Sequence, residues 1–171
     1  YSSAHRYPMP WNDALHDWRS DVRLLNQPGK HPKKVLITGA SGFVGGRLAE
    51  AMQLTGLFQP VAGIRIWPRA ARVASHPMQI VLCDIMQPQQ LEAAAEGCDA
   101  IVHCAYSDDL NSIVDGTRHA LQAAAKHEIS NFVYLSSAEV YGPHRSGDVT
   151  ESEVLEPLGR PYGDAKLEAE R

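Results

Sequence analysis

The stretch KKVLITGASGFVG, residues 33–45, decides the fold of this chain. Its apolar half predicts a strand over residues 35–38, and three glycines follow at intervals of three: Gly39, Gly42 and Gly45. The apolar spacing that comes next predicts a helix over residues 44–54. Glycine permits positive φ and lets a ligand approach the backbone closely, and the N-terminus of a helix suits a pyrophosphate.

A dinucleotide is therefore the expected ligand of this turn. A glycine triplet alone is also typical of an ordinary turn, but its place between a strand and a helix favours dinucleotide binding. The residues expected to contact the dinucleotide are Gly39, Ser41, Gly42, Phe43, Val44 and Gly45.

The composition is that of an ordinary globular protein. The chain has 171 residues, 44% hydrophobic and 21% charged, with a net charge of -4. A net negative charge does not indicate a basic surface for nucleic acid. No apolar run approaches the ~20 residues that cross a bilayer. We expect a cytoplasmic protein without nucleic-acid or membrane partners, although a chain that starts at Tyr1 is weak evidence about targeting segments.

The three cysteines are expected to be free, buried thiols. Cys83, Cys98 and Cys104 are odd in number and contain no C-x-x-C pair. Free thiols are typical of a reducing cytosol. The eight histidines have no metal-ligand spacing, so no metal site is expected.

Residues 1–32 are expected to form an N-terminal extension and linker. Asn12 or Asp13 is a candidate cap for a short helix that ends near Leu25. Residues 27–32, rich in proline and glycine, are typical of a linker. The extension either packs on the surface of the domain or contacts a partner, and the sequence does not choose between them.

From residue 33 to residue 171 the pattern alternates strand and helix. Strands are predicted over residues 35–38, 61–64, 79–82, 100–104 and 132–135. Helices are predicted over residues 44–54, 69–74 and 110–127. A further helix is predicted to begin at Pro88, with Leu91 and Ala95 on one face, and the last one to run from about Tyr162 to the end. The strands lack alternation, which indicates burial on both faces. The pattern is that of a doubly wound, parallel α/β sheet of the Rossmann type.

Chemistry-bearing residues follow the predicted strands, at the edge where such sheets bind ligands. Tyr162 and Lys166 have the i, i+4 spacing that places two side chains on one helix face. An ammonium beside a phenol favours the phenolate, so Tyr162 is a candidate proton donor and acceptor for a carbinol or carbonyl oxygen. Ser137 is a candidate to hold the same oxygen while hydride moves to or from a nicotinamide. The alternative is an unremarkable pair on a surface helix.

Several segments together resemble the extended short-chain dehydrogenase/reductase family, the group of NAD(P)-dependent epimerases, dehydratases and related reductases. The matching segments occur in the family's order and are TGASGFVG at 38–45, CDI at 83–85, VHCA at 102–105, GT at 116–117, YLSSAEVYG at 134–142 and YGDAK at 162–166. The resemblance covers residues 33–171.

The resemblance implies roles for individual residues. Ser137, Tyr162 and Lys166 would be catalytic, and Tyr162 and Lys166 would also contact the cofactor, with Lys166 on the nicotinamide ribose. The remaining cofactor contacts implied are Asp84 and Ile85 near the adenine, and Cys104, Ala105 and Tyr106 along its length. The alternative for Asp84 is a carboxylate that flanks a helix. Ser136 is expected to be only a hydroxyl at the strand end.

Two positions depart from the family pattern. Many NAD-using members carry an acidic residue at the end of the second strand, where this chain has Arg65, followed by Arg69 and Arg72. An arginine accepts a 2′-phosphate that a carboxylate would repel, so NADP is favoured over NAD, with a solvated basic loop as the alternative. Ile113 stands where the family often has asparagine, which puts any bridge built on that asparagine in doubt.

Glu139, two residues after Ser137, suggests a finer role. In sugar dehydratases and decarboxylases of the family, a glutamate here removes a proton beside the transient ketone. Several members place an aspartate between the two residues, where this chain has Ala138. Glu139 is therefore either a catalytic base or a loop hydrogen-bonding group.

The resemblance implies an enzyme acting by hydride transfer on a sugar-nucleotide-like or other carbinol or carbonyl substrate. The alternative is a non-catalytic NAD(P)-binding sensor or partner-binding protein. Family members are much longer and carry further strands and a substrate domain, so a domain incomplete at its C-terminus is expected. We therefore expect the 171-residue chain alone to be nearly inactive, with a homo-oligomer or a further chain as possible partners.

Overall fold

A computed structural model of the chain describes residues 32–107, 109–142, 148–153 and 155–171. Within these ranges the strands are β1 (Lys33–Thr38), β2 (Phe58–Ile64), β3 (Gln79–Leu82), β4 (Ala100–His103) and β5 (Asn131–Tyr134). The α-helices are α1 (Phe43–Thr55), α2 (Pro88–Ala95), α3 (Leu110–Lys126) and α4 (Pro161–Glu170), and two 3₁₀ helices span Trp67–Arg72 and Ala138–Tyr141. The helix and most of the linker expected within residues 1–32 lie outside the described residues.

The five strands form one parallel sheet in the order β3-β2-β1-β4-β5. The chain winds from β1 outward to β3 and then returns to place β4 on the other side of β1. The strand order therefore reverses between β1 and β4, which is where sheets of this kind open a crevice for ligands. The predicted doubly wound parallel fold is confirmed.

Most predicted elements are present within a few residues of their expected bounds, and the largest difference is in β2. This strand starts at Phe58, three residues before the predicted start, and includes Pro60. Pro60 pairs with Val35 of β1, whereas pairing with β3 begins only at Val61. A proline lacks the backbone N–H that a second neighbour would need, so it is tolerated before that pairing begins.

The core lies on both faces of the sheet. Leu36, Val61 and Ile101 are buried on one face together with residues of α2 and α3. Val35 and Ile37 are buried on the other face with residues that include Ala49 of α1. Burial of successive β1 residues on opposite faces explains why this strand shows no polar alternation.

The outer strand β5 differs from that expectation. Val133 is 56% exposed, and exposed and half-buried residues alternate along the strand. The face that carries Asn131 and Val133 is open to solvent among the described residues, so the apolar sequence of this strand does not indicate burial on both faces. No helix of the described residues is long and apolar enough to cross a membrane.

Two glycines allow the backbone to pack closely where β1 ends. Gly39 has a φ of +70°, and a Cβ there would lie 2.7 Å from Cα and 2.8 Å from N of Ala105. A Cβ on Gly45 would lie 2.7 Å from the Gly39 carbonyl oxygen. The loop after β4 and the first turn of α1 therefore both rest on Gly39, in positions that side chains would prevent.

We expect Gly39→Ala to be much more destabilising than Gly97→Ala. Gly97 has a φ of +67°, but a Cβ there would meet nothing within 4 Å among the described residues. Gly97→Ala should cost about 1 kcal/mol of unfolding free energy for its positive φ. Gly39→Ala should cost about 2–4 kcal/mol, because it adds a clash with backbone. Urea unfolding measures both, and equal losses would contradict the close approach.

Candidate active site

The loops that follow β1, β2, β3 and β4 line a cleft with an empty volume of about 540 Å³, part of it open to solvent. Its position at the carboxyl ends of the strands is the one expected for a ligand site in a doubly wound sheet. The lining residues are Gly39, Ser41, Arg65, Arg69, Cys83, Asp84, Ile85, Met86, Ala105, Tyr106, Ser107 and Ser112.

Half of the residues predicted to bind the cofactor line this cleft. They are Gly39, Ser41, Arg65, Asp84, Ile85, Ala105 and Tyr106. The others lie at the start of α1, just after β4 and on α4, and do not line the cleft. They are Gly42, Phe43, Val44, Gly45, Cys104, Tyr162 and Lys166. The binding roles themselves stay predictions.

The N-terminus of α1 adjoins the glycine-turn side of this cleft. Gly42 is the N-cap residue, with a φ of -81° and a ψ of 179°, and no side chain caps the helix in the described residues. Its first turn contains no acidic residue, and Gly42, Phe43 and Val44 are all exposed. Uncapped N–H groups and the partial positive charge of a helix N-terminus favour an anion at this position.

The structure separates the three arginines that follow β2. Arg65 and Arg69 line the cleft. The Arg72 guanidinium instead stacks on the Phe43 ring, 5.8 Å from its centroid. A Cβ on Gly46 would lie 2.3 Å from Cδ of Arg72, so the missing side chain of this glycine makes room for the arginine on α1. Two arginines, rather than three, therefore contribute positive charge to the cleft.

Asp84 and Ile85 line the cleft after β3. An Asp84 carboxylate oxygen accepts a hydrogen bond of 3.0 Å from the Met86 N–H, which leaves its other oxygen for a ligand. Ile85 is buried against α3, where a Cβ on Gly116 would lie 2.5 Å from Cδ1 of Ile85. Gly116 therefore lets α3 support the floor of the cleft. Ile113, on the same helix, is buried and offers no polar bridge.

A buried polar pair holds the loop after β4. The Thr38 hydroxyl shares a hydrogen bond of 2.9 Å with Nδ1 of His103 and accepts one of 3.3 Å from the Ala105 N–H. Burial, and then the nearby charge of Lys166, lower the pKa of His103 to about 4, so its imidazole is neutral at physiological pH. The sequence analysis assigned no role to Thr38 or His103, although a histidine in the apolar run 100–104 was a sign of a buried partner.

Burial also favours the uncharged form of the cysteines. Cys83 and Cys98 are buried free thiols and Cys104 is a half-buried one. Burial raises the pKa of Cys83 to about 12, with smaller contributions from Asp84 and Cys98. The Cys83 thiol that lines the cleft therefore stays protonated and is a poor nucleophile.

Lys166 is held at the end of β5. Its side chain is buried, and Nζ donates a hydrogen bond of 2.8 Å to the Leu135 carbonyl oxygen. Nζ lies 4.6 Å from the centroid of the Tyr134 ring and 6.0 Å from that of Tyr162. Burial lowers the pKa of the Lys166 ammonium, although the Cys104 thiol and the Glu170 carboxylate act in the opposite direction. The structure therefore brings together the predicted Tyr162–Lys166 pair.

Tyr106 connects this pair with the cleft. The rings of Tyr106 and Tyr162 meet edge to face, with centroids 5.7 Å apart and an interplanar angle of 81°. Such a geometry is favourable between aromatic rings. Because Tyr106 also lines the cleft, Tyr162 lies at the end of the cleft formed by the β4 loop.

Ser137 and Glu139 lie in the segment that follows β5. The Ser137 hydroxyl caps the second 3₁₀ helix and accepts a hydrogen bond of 3.2 Å from the Glu139 N–H. The Glu139 side chain is exposed, and the hydrogen bond that Glu139 donates to Ser137 comes from its backbone N–H. A Cβ on Gly163 would lie 2.9 Å from the Glu139 carbonyl oxygen, which brings the first turn of α4 against this segment.

A model of the NAD-dependent epimerase/dehydratase family matches residues 35–171. Among curated proteins, the uncharacterized UDP-glucose epimerase YtcB of Bacillus subtilis is 28% identical over 165 residues. The match covers 81% of this chain and 50% of the relative. The chain spans about half the length of the curated relatives it matches.

Solved structures with the same fold include an epimerase and a dehydratase. UDP-glucuronic acid 4-epimerase from Bacillus cereus, in complex with UDP-glucuronic acid and NAD, has 26% identity and a TM-score of 0.69, covering 80% of this chain and 50% of that one. dTDP-glucose 4,6-dehydratase from Bacillus anthracis, in complex with NAD, has 25% identity and a TM-score of 0.72. This match covers 81% of this chain and 48% of that one.

Proposed function

The chain belongs to the NAD-dependent epimerase/dehydratase family, and from that premise we propose that the protein carrying it is a nicotinamide-dependent enzyme in which Tyr162 is the acid/base. The observation that carries the proposal is the position of Tyr162, with Lys166 on one side and the cleft-lining Tyr106 on the other. Relatives of the chain have names that refer to UDP-glucose, UDP-glucuronic acid and dTDP-glucose. We propose a sugar nucleotide or a similar carbinol as the substrate class.

The residues present fit a dinucleotide. Close packing at Gly39 and Gly45 leaves no side chain between the glycine turn and a ligand, and the uncapped α1 N-terminus suits a pyrophosphate. Asp84 and Ile85 would hold the adenine end, and Ala105 would lie along its length. The bound nicotinamide would supply the site at which hydride is accepted and returned.

The chain's own residues would then move the proton. Tyr162 would take the proton from the substrate hydroxyl during oxidation and return it during reduction. The Lys166 ammonium stabilises negative charge on the phenol oxygen and would also hold the nicotinamide ribose. Ser137 would donate its hydroxyl hydrogen to the substrate oxygen, because the bond it accepts from the Glu139 N–H uses a lone pair and leaves that hydrogen available.

Glu139 is a proposed second base for chemistry beside the transient ketone. Its exposed carboxylate is available to a substrate, and it lies two residues from Ser137. A dehydratase needs such a base to remove a proton from the carbon next to the carbonyl, whereas a simple dehydrogenase does not. The reaction outcome therefore depends on whether Glu139 reaches the substrate or serves only the loop.

Cofactor preference is a separate proposal. We propose that NADP binds better than NAD because Arg65 and Arg69 both line the cleft. The two solved relatives described above contain NAD. A preference for NADP would distinguish this chain from those two complexes.

We expect Arg65→Ala to weaken NADPH binding by about tenfold, which corresponds to the loss of one charge-assisted contact, and to leave NADH binding nearly unchanged. Arg69→Ala should act in the same direction. Arg118→Ala is the control, because its guanidinium pairs with Asp115 on α3 and does not line the cleft. The Kd of NADPH and of NADH is measured by titration for the unmodified protein and the three variants. Tighter NADH binding by the unmodified protein, or an equal effect of Arg118→Ala, would refute the preference.

Turnover tests the catalytic proposal in the full-length protein that carries this chain. Tyr162→Phe should lower kcat by about 10²–10⁴-fold because it removes the proton-transfer hydroxyl, with cofactor Kd nearly unchanged. Lys166→Ala should lower kcat and also weaken cofactor binding, because one ammonium serves both the phenol and the ribose. An active Tyr162→Phe enzyme would reject Tyr162 as the acid/base. Cofactor binding without turnover in the unmodified protein would favour a sensor.

A further inference from the structure

Helix α4 presents one row of side chains to the end of β5. Tyr162, Lys166 and Glu170 follow each other at intervals of four residues, so they lie on one helix face. Lys166 bonds to the Leu135 carbonyl oxygen, and the Ser136 hydroxyl donates a hydrogen bond to the Glu170 carboxylate. Two consecutive residues after β5 are therefore bonded to two consecutive members of this row.

The first turn of α4 lies beside a later part of the same segment. Gly163 rests against the Glu139 carbonyl oxygen, whereas Glu170, at the other end of the helix, bonds to Ser136. The helix thus runs antiparallel to residues 136–139. A rotation of α4 by one residue would move Lys166 away from Leu135 and carry Tyr162 with it.

The start of the helix needs such anchors because its N-cap, Arg160, makes no side-chain capping bond. The first N–H groups of an uncapped helix add nothing that fixes its position, so tertiary contacts have to do so. One anchor is present near its start, where the Asp164 carboxylate accepts a hydrogen bond of 2.8 Å from the Leu158 N–H. The Ser136–Glu170 bond is the corresponding anchor in its last turn.

We propose that Ser136 and Glu170 are positioning residues for catalysis: their hydrogen bond fixes the last turn of α4 on the end of β5 and thereby sets the positions of Lys166 and Tyr162. This inference rests on the proposed function, in which Lys166 and Tyr162 are catalytic. Ser136, which the sequence analysis treated as a simple strand-end hydroxyl, gains a role from this contact.

The charge of Glu170 adds an electrostatic component. Its carboxylate raises the pKa of Lys166 and so opposes the lowering of that pKa by burial. The titratable groups that surround the Lys166 ammonium are His103 at the end of β4, Cys104 just after it, Tyr134 of β5, and Tyr162 and Glu170 of α4. Glu170 is the carboxylate in this group, so its removal takes away a negative charge that helps to keep Lys166 protonated.

The test uses Ser136→Ala, Glu170→Ala, which removes the acceptor, and the double variant of the full-length protein. Each single variant should lower kcat by about tenfold, since small displacements of catalytic groups are costly. The double variant should be no slower than the slower single variant, because both changes break the same bond. Ser136→Thr keeps the hydroxyl and should restore most of the activity.

The pH profile distinguishes positioning of Lys166 from a general loss of stability. Glu170→Gln lowers the pKa of Lys166, so the ammonium is lost at lower pH. The alkaline limb of kcat/KM should therefore move down by about half a pH unit. Glu168→Gln removes the same charge from the exposed face of α4 and should change neither kcat nor the limb.

Two results would overturn the inference: wild-type turnover in Ser136→Ala and Glu170→Ala, or losses that add in the double variant. If Ser136→Ala does not fold, Glu170→Gln and its pH profile decide the question, and an unmoved alkaline limb overturns the inference. Tyr162→Phe, measured in parallel, separates the two proposals. An inactive Tyr162→Phe beside fully active Ser136 and Glu170 variants refutes only the positioning roles, whereas an active Tyr162→Phe refutes the proposed function.

Discussion

The structure depends on the close approach of Gly39 to the backbone of Ala105, which a single Cβ atom would prevent. This contact joins the ends of β1 and β4, the two strands between which the sheet reverses its order. The Thr38 hydroxyl adds a hydrogen bond to the Ala105 N–H and connects it to the buried, neutral imidazole of His103. The loops after β1 and β4, which line the cleft, are therefore held together at the ends of these strands.

The candidate catalytic groups depend on a second, weaker set of contacts. Tyr162 and Lys166 lie on α4, a helix that bonds to the segment after β5, which carries Ser137 and Glu139, through Lys166 and Glu170. The edge-to-face contact of Tyr106 with Tyr162 connects this helix to the cleft. The half that would hold the dinucleotide is therefore built on the buried sheet, whereas the half that would move the proton is built on side-chain contacts that a single substitution can remove.

The sequence predicted the elements whose evidence is local. Residues 33–45 combine an apolar run, three spaced glycines and a helical pattern, so β1, the turn and α1 were all expected. The early start of β2 was not, because a proline usually argues against a strand and only the pairing of Pro60 shows why it is tolerated.

Contacts between distant residues could not be predicted in this way. Ser136 and Glu170 are 34 residues apart, and no periodicity connects them. The sequence spacing also did not show that Arg72, unlike Arg65 and Arg69, lies outside the cleft lining. The space that Arg72 occupies is created by the missing side chain of Gly46 on another helix. The chemistry of Tyr162 and Lys166 was recognisable because they are four positions apart in the sequence. The same spacing did not show that Lys166 is buried.

The central claim, that the glycine turn binds a dinucleotide, is tested most directly by the Kd of Gly42→Val. Gly42 is exposed and has extended dihedral angles that valine adopts, and a Cβ there would meet only the Gly39 carbonyl oxygen, at 3.1 Å, among the described residues. We expect the variant to fold, as measured by urea unfolding, because that contact needs only a small adjustment. Its side chain would fill the space in front of the α1 N-terminus, so NADPH and NADH should bind at least about tenfold more weakly. Wild-type affinity in a folded Gly42→Val protein would contradict the account.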